Sequence, residues 1–326
     1  MVKTWSVVPS SHTTGRGTAS YDTLPPSAGP EPARVDAAEP AMEFEVRKPS
    51  RTMHDLIVSD EVHTRIDLAI KQLEHHEELY LRWNLRKVDP YRTGTALNFY
   101  GEPGTGKSLA AEAVAAHLGR RFIDVNYAEI ESKYVGDTPK NIVRCFEQAR
   151  RANAVLVFNE ADSILGSRLS NVTQSADHSV NVSRAVMLAQ LDMFDGLVVF
   201  TTNFPRNYDA AFVRRILVHV RFDLPDLPTR IRLWDHLIPQ EMPREDSFEV
   251  TPLAEASEGL TGGDMVNVLK AAGAAAVSRP HPRHRLEMAD LLREIDQIRR
   301  AKSEVGKRPG GRYHTSVELI DELPSA

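Results

Sequence analysis

Residues 101–108 read Gly101-Glu102-Pro103-Gly104-Thr105-Gly106-Lys107-Ser108, and these types at this spacing suit the capture of a phosphate chain. Glycines at 101, 104 and 106 let backbone N–H groups curl around an anion, Lys107 reaches the terminal phosphate oxygens, and Ser108 offers its hydroxyl to Mg²⁺. Pro103, Thr105 and Leu109 complete the loop surface expected to touch the nucleotide. The apolar run 96–100 predicts a strand that delivers the loop. Residues 107–118 predict a helix whose positive N-terminal end completes the anion site. A nucleoside triphosphate, ATP with Mg²⁺, is the expected ligand.

A second element stands at Val155-Leu156-Val157-Phe158-Asn159-Glu160-Ala161-Asp162, an apolar strand that ends in polar residues. In phosphate-loop ATPases the first polar residue after such a strand is normally Asp, holding Mg²⁺ through water, and the next is Glu, which deprotonates the attacking water. Here Asn159 takes the metal position and Glu160 the base position. An amide keeps the carboxylate's shape but removes one negative charge, so the substitution predicts weaker metal positioning and slow hydrolysis. Three readings are open: a trapped variant of an active ATPase, a natural tolerance of Asn, and a degenerate nucleotide-binding scaffold.

The 326 residues allow one large domain or two modest ones, and 41% hydrophobic content supports a real core. A net charge of -5 argues against a dominant nucleic-acid surface, and the short basic stretch 279–285 reads as a solvated face. Cys145 is the single cysteine. It falls in a helical pattern as a buried small apolar residue, and no intrachain disulfide is open to it, which points to a reducing compartment. No apolar run approaches the roughly 18 residues that a membrane helix needs. The first residues lack a signal-peptide core, so the expected location is cytoplasmic.

Residues 1–45 are rich in Pro, Ser, Thr and Ala and read as a tail. An amphipathic helix is expected over 60–83 on the spacing of Val62, Ile66, Ile70, Leu73 and Leu81. Further strands are expected at 122–125, 155–158, 198–201 and 220–224, with helices between them, which predicts a parallel sheet with helices on both faces. Past residue 228 the strand signal stops, and helices are expected at 230–237, 253–258, 263–277 and 286–300. The implied organisation is an α/β domain over 46–228, an all-α domain over 229–305 and a C-terminal tail over 306–326.

The order of motifs over residues 53–302 resembles the AAA family within the broader AAA+ group of ATPases. The phosphate loop is followed by Glu131-Ser132-Lys133-Tyr134-Val135-Gly136-Asp137, by the Asn159-Glu160 strand end, by Thr201-Thr202-Asn203, by the Arg214-Arg215 pair and by Gly262-Gly263-Asp264. The resemblance implies a P-loop α/β domain with a small helical lid and a role for each motif. Asn203 would position the lytic water and sense the γ-phosphate. Arg214 and Arg215 would be fingers presented to a neighbouring subunit's nucleotide, which implies a homo-oligomer, a hexameric ring. Lys133, Tyr134 and Val135 would form a pore loop gripping an extended polypeptide, with Asp177 and His178 on a second loop. Backbone at Leu56 and Ile57 would face adenine while the lid closes at Gly263. A glycine there, where many AAA+ relatives carry arginine, leaves phosphate sensing to Asn203 and the arginines.

The implied activity is ATP hydrolysis coupled to pulling a protein substrate through a pore, with an adaptor or a directly engaged peptide end for recognition. Compact bacterial members that remodel HORMA-domain partners have a comparable build. Two other classes compete: an AAA+ machine acting on nucleic acid, and an assembly scaffold that binds nucleotide without turnover. Basic pore residues or an appended DNA-binding domain would mark the first, and neither is evident.

Overall fold

The computed structural model describes residues 43–88, 94–130, 137–166, 175–203, 208–280 and 284–304. The tails expected at 1–45 and 306–326 fall almost wholly outside these residues. The chain runs β1 (Val46–Arg47), α1 (Asp60–Glu74), β2 (Thr95–Gly101), α2 (Lys107–His117), β3 (Arg121–Asn126), α3 (Tyr127–Ile130), α4 (Asp137–Ala152), β4 (Ala154–Asn159), α5 (Asp162–Leu165), α6 (Ser175–Met193), β5 (Leu197–Thr202), α7 (Ala210–Arg215) and β6 (Ile216–Phe222). Four helices follow: α8 (Leu227–Leu237), α9 (Val250–Ala256), α10 (Gly262–Val277) and α11 (Met288–Glu304).

The fold class is α/β. Six strands pair in the order β1-β3-β4-β5-β2-β6, all parallel except β1 against β3. Strands buried on both faces should read as continuous apolar runs, and β4 shows why. Val155 and Val157 enter a cluster with Ile66 and Ile70 of α1 and the alanines of α2. Leu156 and Phe158 enter the opposite cluster with Ile142 and Phe146 of α4 and Met187 of α6. Cys145 is fully buried in that second cluster, and burial pushes its thiol pKa up, so it is a packing residue. A third cluster joins α8 to α11 around Trp234, Leu253, Met265 and Leu291.

Three elements differ from their expected form. The helix over 60–83 ends at Glu74, followed by a π-helical turn at Glu78–Arg82. Leu81 and Trp83 are 50% and 69% exposed, so the face that holds α1 to the sheet does not extend to them. Strand β6 begins at Ile216, directly after α7, and ends at Phe222; Leu224 lies beyond it. The short edge strand β1, against Phe122 and Ile123, has no strand-length apolar signature.

Arg279, at the start of the basic stretch 279–285, also departs from a solvated face. Both Arg279 Nη atoms donate to Asp290 at 2.8 Å, Arg293 Nη2 donates to it at 2.9 Å, and Asp290 is buried. The Arg279 hydrogen bonds hold the Asp290 carboxyl below the usual carboxylate range. Stability from this group is present above the unfolded aspartate pKa and is lost as pH falls through the lowered folded value. Asp290→Asn is expected to be destabilising, since the buried acceptor of two solvent-reached guanidinium groups loses its charge. Urea denaturation at neutral pH checks this, and the deficit should shrink in acid.

Candidate functional site

Strand β2 feeds the phosphate loop into α2, which starts at Lys107 with Gly106 as its cap at φ 101°. Gly104 has φ 80°, and a Cβ there would stand 2.8 Å from Thr261 Oγ1, so both the backbone angle and the approach of α10 require glycine. Gly263 N–H donates to Gly104 C=O at 3.0 Å. The N-terminus of α10 thus rests on the loop, fixed by a capping box between Thr261 and Asp264.

Lys107 Nζ donates to the carbonyls of Gly101 at 2.8 Å and Glu102 at 2.7 Å. Burial lowers its pKa, opposed by the carboxylates of Asp162 and Glu102. Ser108 Oγ donates to Asn159 Oδ1 at 2.9 Å, and Thr201 Oγ1 donates to the same oxygen at 2.6 Å. Asn159 Nδ2 donates to Asp124 Oδ1 on the neighbouring strand, and Arg47 Nη2 lies 3.1 Å from Asp124 Oδ2.

Glu160 follows β4 with φ 54°, a left-handed conformation that non-glycine residues seldom adopt and that gathers at functional sites. Ala161 N–H donates to Thr201 C=O at 3.0 Å. This bond ties the end of β4 to the end of β5, where Asn203 projects from the strand tip.

These groups line one cleft of about 980 Å³, a volume suited to a nucleotide-sized ligand. Its walls include Leu56 and Ile57, the loop residues Pro103, Gly104, Thr105, Gly106, Lys107, Ser108 and Leu109, then Asn159, Glu160, Asn203 and Gly263. It opens at the carboxyl ends of the parallel strands, where the order turns back across β2, the usual ligand position in such sheets. Ser108, Asn159 and Thr201 supply a compact set of hard oxygen atoms, which fits Mg²⁺ held jointly with phosphates.

Arg214 and Arg215 do not join this cleft. They end α7, which runs directly into Ile216, and Ile216 pairs with Ala96 at the start of β2. The phosphate loop lies at the other end of β2, on the order of 20 Å away at strand rise. Arg215 makes a two-point contact with Asp192, Nε to Oδ1 and Nη2 to Oδ2 at 2.7 Å each, and this contact raises its pKa. Arg214 is exposed.

Lys133, Tyr134 and Val135 lie outside the described residues. Residues 177–178 fall in the first turn of α6, and their side chains are not described. Sequence reasoning missed Asp124 and Arg47, and it named Thr201 only as part of the Thr201-Thr202-Asn203 motif, with no role of its own. Asp124 interrupts the apolar run Phe122-Ile123-Asp124-Val125, which is a signal, but its meaning depends on β3 and β4 being neighbours. No helix among the described residues is long and apolar enough to cross a membrane.

Residues 97–224 match the family model described as ATPase family associated with various cellular activities (AAA). The chain is similar to a proteasome-activating nucleotidase of Methanosarcina mazei, 34% identical over 246 residues, covering 72% of this chain and 56% of that protein. It is 30% identical over 277 residues to 26S proteasome regulatory subunit 7 of Dictyostelium discoideum, covering 82% and 62%. It is 35% identical over 185 residues to spastin of Drosophila grimshawi, covering 53% and 23%. The chain spans about half the length of the curated relatives it matches first.

Proposed function

Because this chain carries an ATPase domain of the AAA family, we propose that it is an ATP-driven protein remodeller working as a hexameric ring. The observation that carries this reading is the meeting of Lys107, Ser108, Asn159, Glu160 and Asn203 in one cleft that the N-terminus of α10 closes. Leu56 and Ile57 face the base. The loop N–H groups and Lys107 hold the phosphates. Glu160 takes a proton from the attacking water as its oxygen bonds to the γ-phosphorus and the bond to the β–γ bridging oxygen breaks, leaving ADP and phosphate.

Asn203 positions that water and reports the γ-phosphate. Ser108 and Asn159 would hold Mg²⁺, which when bound neutralises charge on the β and γ oxygens. With Asp replaced by Asn159, turnover is slow relative to a carboxylate-bearing site.

Arg214 cannot serve its own cleft from the opposite end of the strands, so it serves the neighbour's. Arg215, held by Asp192, supports the same end. The Gly263–Gly104 hydrogen bond couples loop and lid, so release of phosphate shifts α8–α11, the lid, against the sheet. That motion carries Tyr134, which grips an extended protein chain supplied directly or by an adaptor. A HORMA-domain protein is one client to test, and the cytoplasm is the proposed compartment.

The test is ATP turnover with and without a loosely folded protein such as casein, beside Tyr134→Ala. The expected result is turnover that casein stimulates in the parent chain and that Tyr134→Ala uncouples, with ATP affinity intact. Stimulation that survives Tyr134→Ala would overturn the pore-loop assignment. Assembly on nucleotide without any turnover would favour the scaffold reading.

A further inference from the structure

The carboxylate absent at position 159 has a counterpart one strand away. Asp124 projects from β3 and accepts a hydrogen bond from Asn159 Nδ2, while its other oxygen faces Arg47 Nη2 at 3.1 Å. Arg47, Asp124 and Asn159 all line the nucleotide cleft. A carboxylate can only accept, whereas an amide carries a donor end and an acceptor end. Asp124 therefore dictates which way the Asn159 amide points: the NH₂ faces β3, and the oxygen faces Ser108 and Thr201, both of which donate to it.

This orientation decides what an amide can do beside a metal. Waters on a cation point their protons outward and need acceptors, so a flipped amide, presenting NH₂, would repel them. Hydrogen bonding of the NH₂ to a charged acceptor also draws electron density toward the amide oxygen, as outer partners do for other metal-facing groups. Arg47 holds the second oxygen of Asp124 and keeps the carboxylate from rotating away. Strand β1 thus places a cation where it braces the network.

We propose that Asp124 is the positioning residue that lets Asn159 stand in for the carboxylate at the Mg²⁺ position, so that Asn159 is a working residue of this chain. The proposal rests on the nucleotide reading above. It also reverses a simple expectation about repair: Asn159→Asp alone would set two carboxylates within hydrogen-bond distance, where they repel each other. Moving the carboxylate, by Asp124→Asn together with Asn159→Asp, keeps one acid and one amide.

Nucleotide affinity is measured with a fluorescent ATP analogue in EDTA and across a Mg²⁺ series, for the parent chain, Asp124→Ala, Asn159→Asp and the double exchange, with thermal melting to confirm folding. Asp124→Ala should raise the Mg²⁺ concentration at half-effect about 10- to 100-fold, the usual loss on removing an outer partner of a metal site. Asn159→Asp alone should not tighten the Mg²⁺ response, and the double exchange should restore it. Parent-like Mg²⁺ dependence in folded Asp124→Ala would overturn the proposal, as would Asn159→Asp alone matching the double exchange. If the parent chain binds no nucleotide at any Mg²⁺ concentration, the nucleotide reading itself falls.

Discussion

Glu160→Gln is expected to lower steady-state ATP turnover by about 10²- to 10⁴-fold, the contribution of a positioned general base, while ATP affinity stays intact. The amide fits the same space at the end of β4 and leaves the loop, Lys107 and Ser108 as they are, so binding and catalysis separate. The backbone at Glu160 strengthens the expectation. Its φ of 54° costs on the order of 1 kcal/mol or more, and Gln pays the same cost without gaining a base. Single-turnover hydrolysis beside equilibrium binding of ATP checks this. Turnover equal to the parent's would remove Glu160 from the base role.

Arg214→Ala is expected to lower turnover by about 10³-fold or more, the range for a finger supplied by a neighbouring subunit, with each isolated subunit binding ATP as before. Position is the reason. The residue closes α7 at the start of β6, which lies beside the start of β2 and so at the opposite end of the strands from its own phosphate loop, so an effect of this size on hydrolysis has to act across a subunit boundary. Arg215→Ala should behave differently, because its guanidinium is fastened to Asp192. Its loss should lower thermal stability or assembly along with turnover. Analytical ultracentrifugation beside the activity assay separates the two.

How much of this was legible in the sequence follows the range of the interactions involved. The phosphate loop is contiguous, so residues 101–108 declare their chemistry without knowledge of the fold. The apolar runs of β2 to β5 are read within a residue or so of their ends, because strands buried on both faces are mainly apolar, with Asn98 in β2 and Asp124 in β3 as their interior polar residues. Strand β6 was harder to see: Ile216 follows Arg214 and Arg215 with no turn residue between, and Arg221 and His219 dilute its pattern. Strand β1 has two residues and exists only because β3 offers an edge.

The site divides in the same way. Asn159 and Glu160 are visible as a strand end, whereas Asp124 and Thr201 matter because β3 and β5 flank β4, a neighbourhood that no local pattern reports. The meaning of Asn159 changes once Asp124 is placed beside it. Read alone, an amide at that position is a deficit. Read with its partner, it is half of a carboxylate–amide pair that spans two neighbouring strands.

Mixing Glu160→Gln chains with Arg214→Ala chains tests the central claim most directly. Each variant alone lacks one group in every site. In a ring with active sites shared between neighbours, random mixing in equal amounts restores both groups to about a quarter of the sites, so turnover should rise from near zero to about that fraction of the parent's. If the mixture, confirmed to co-assemble, stays as inactive as its components, base and finger do not meet across a subunit boundary and the shared-site ring is wrong.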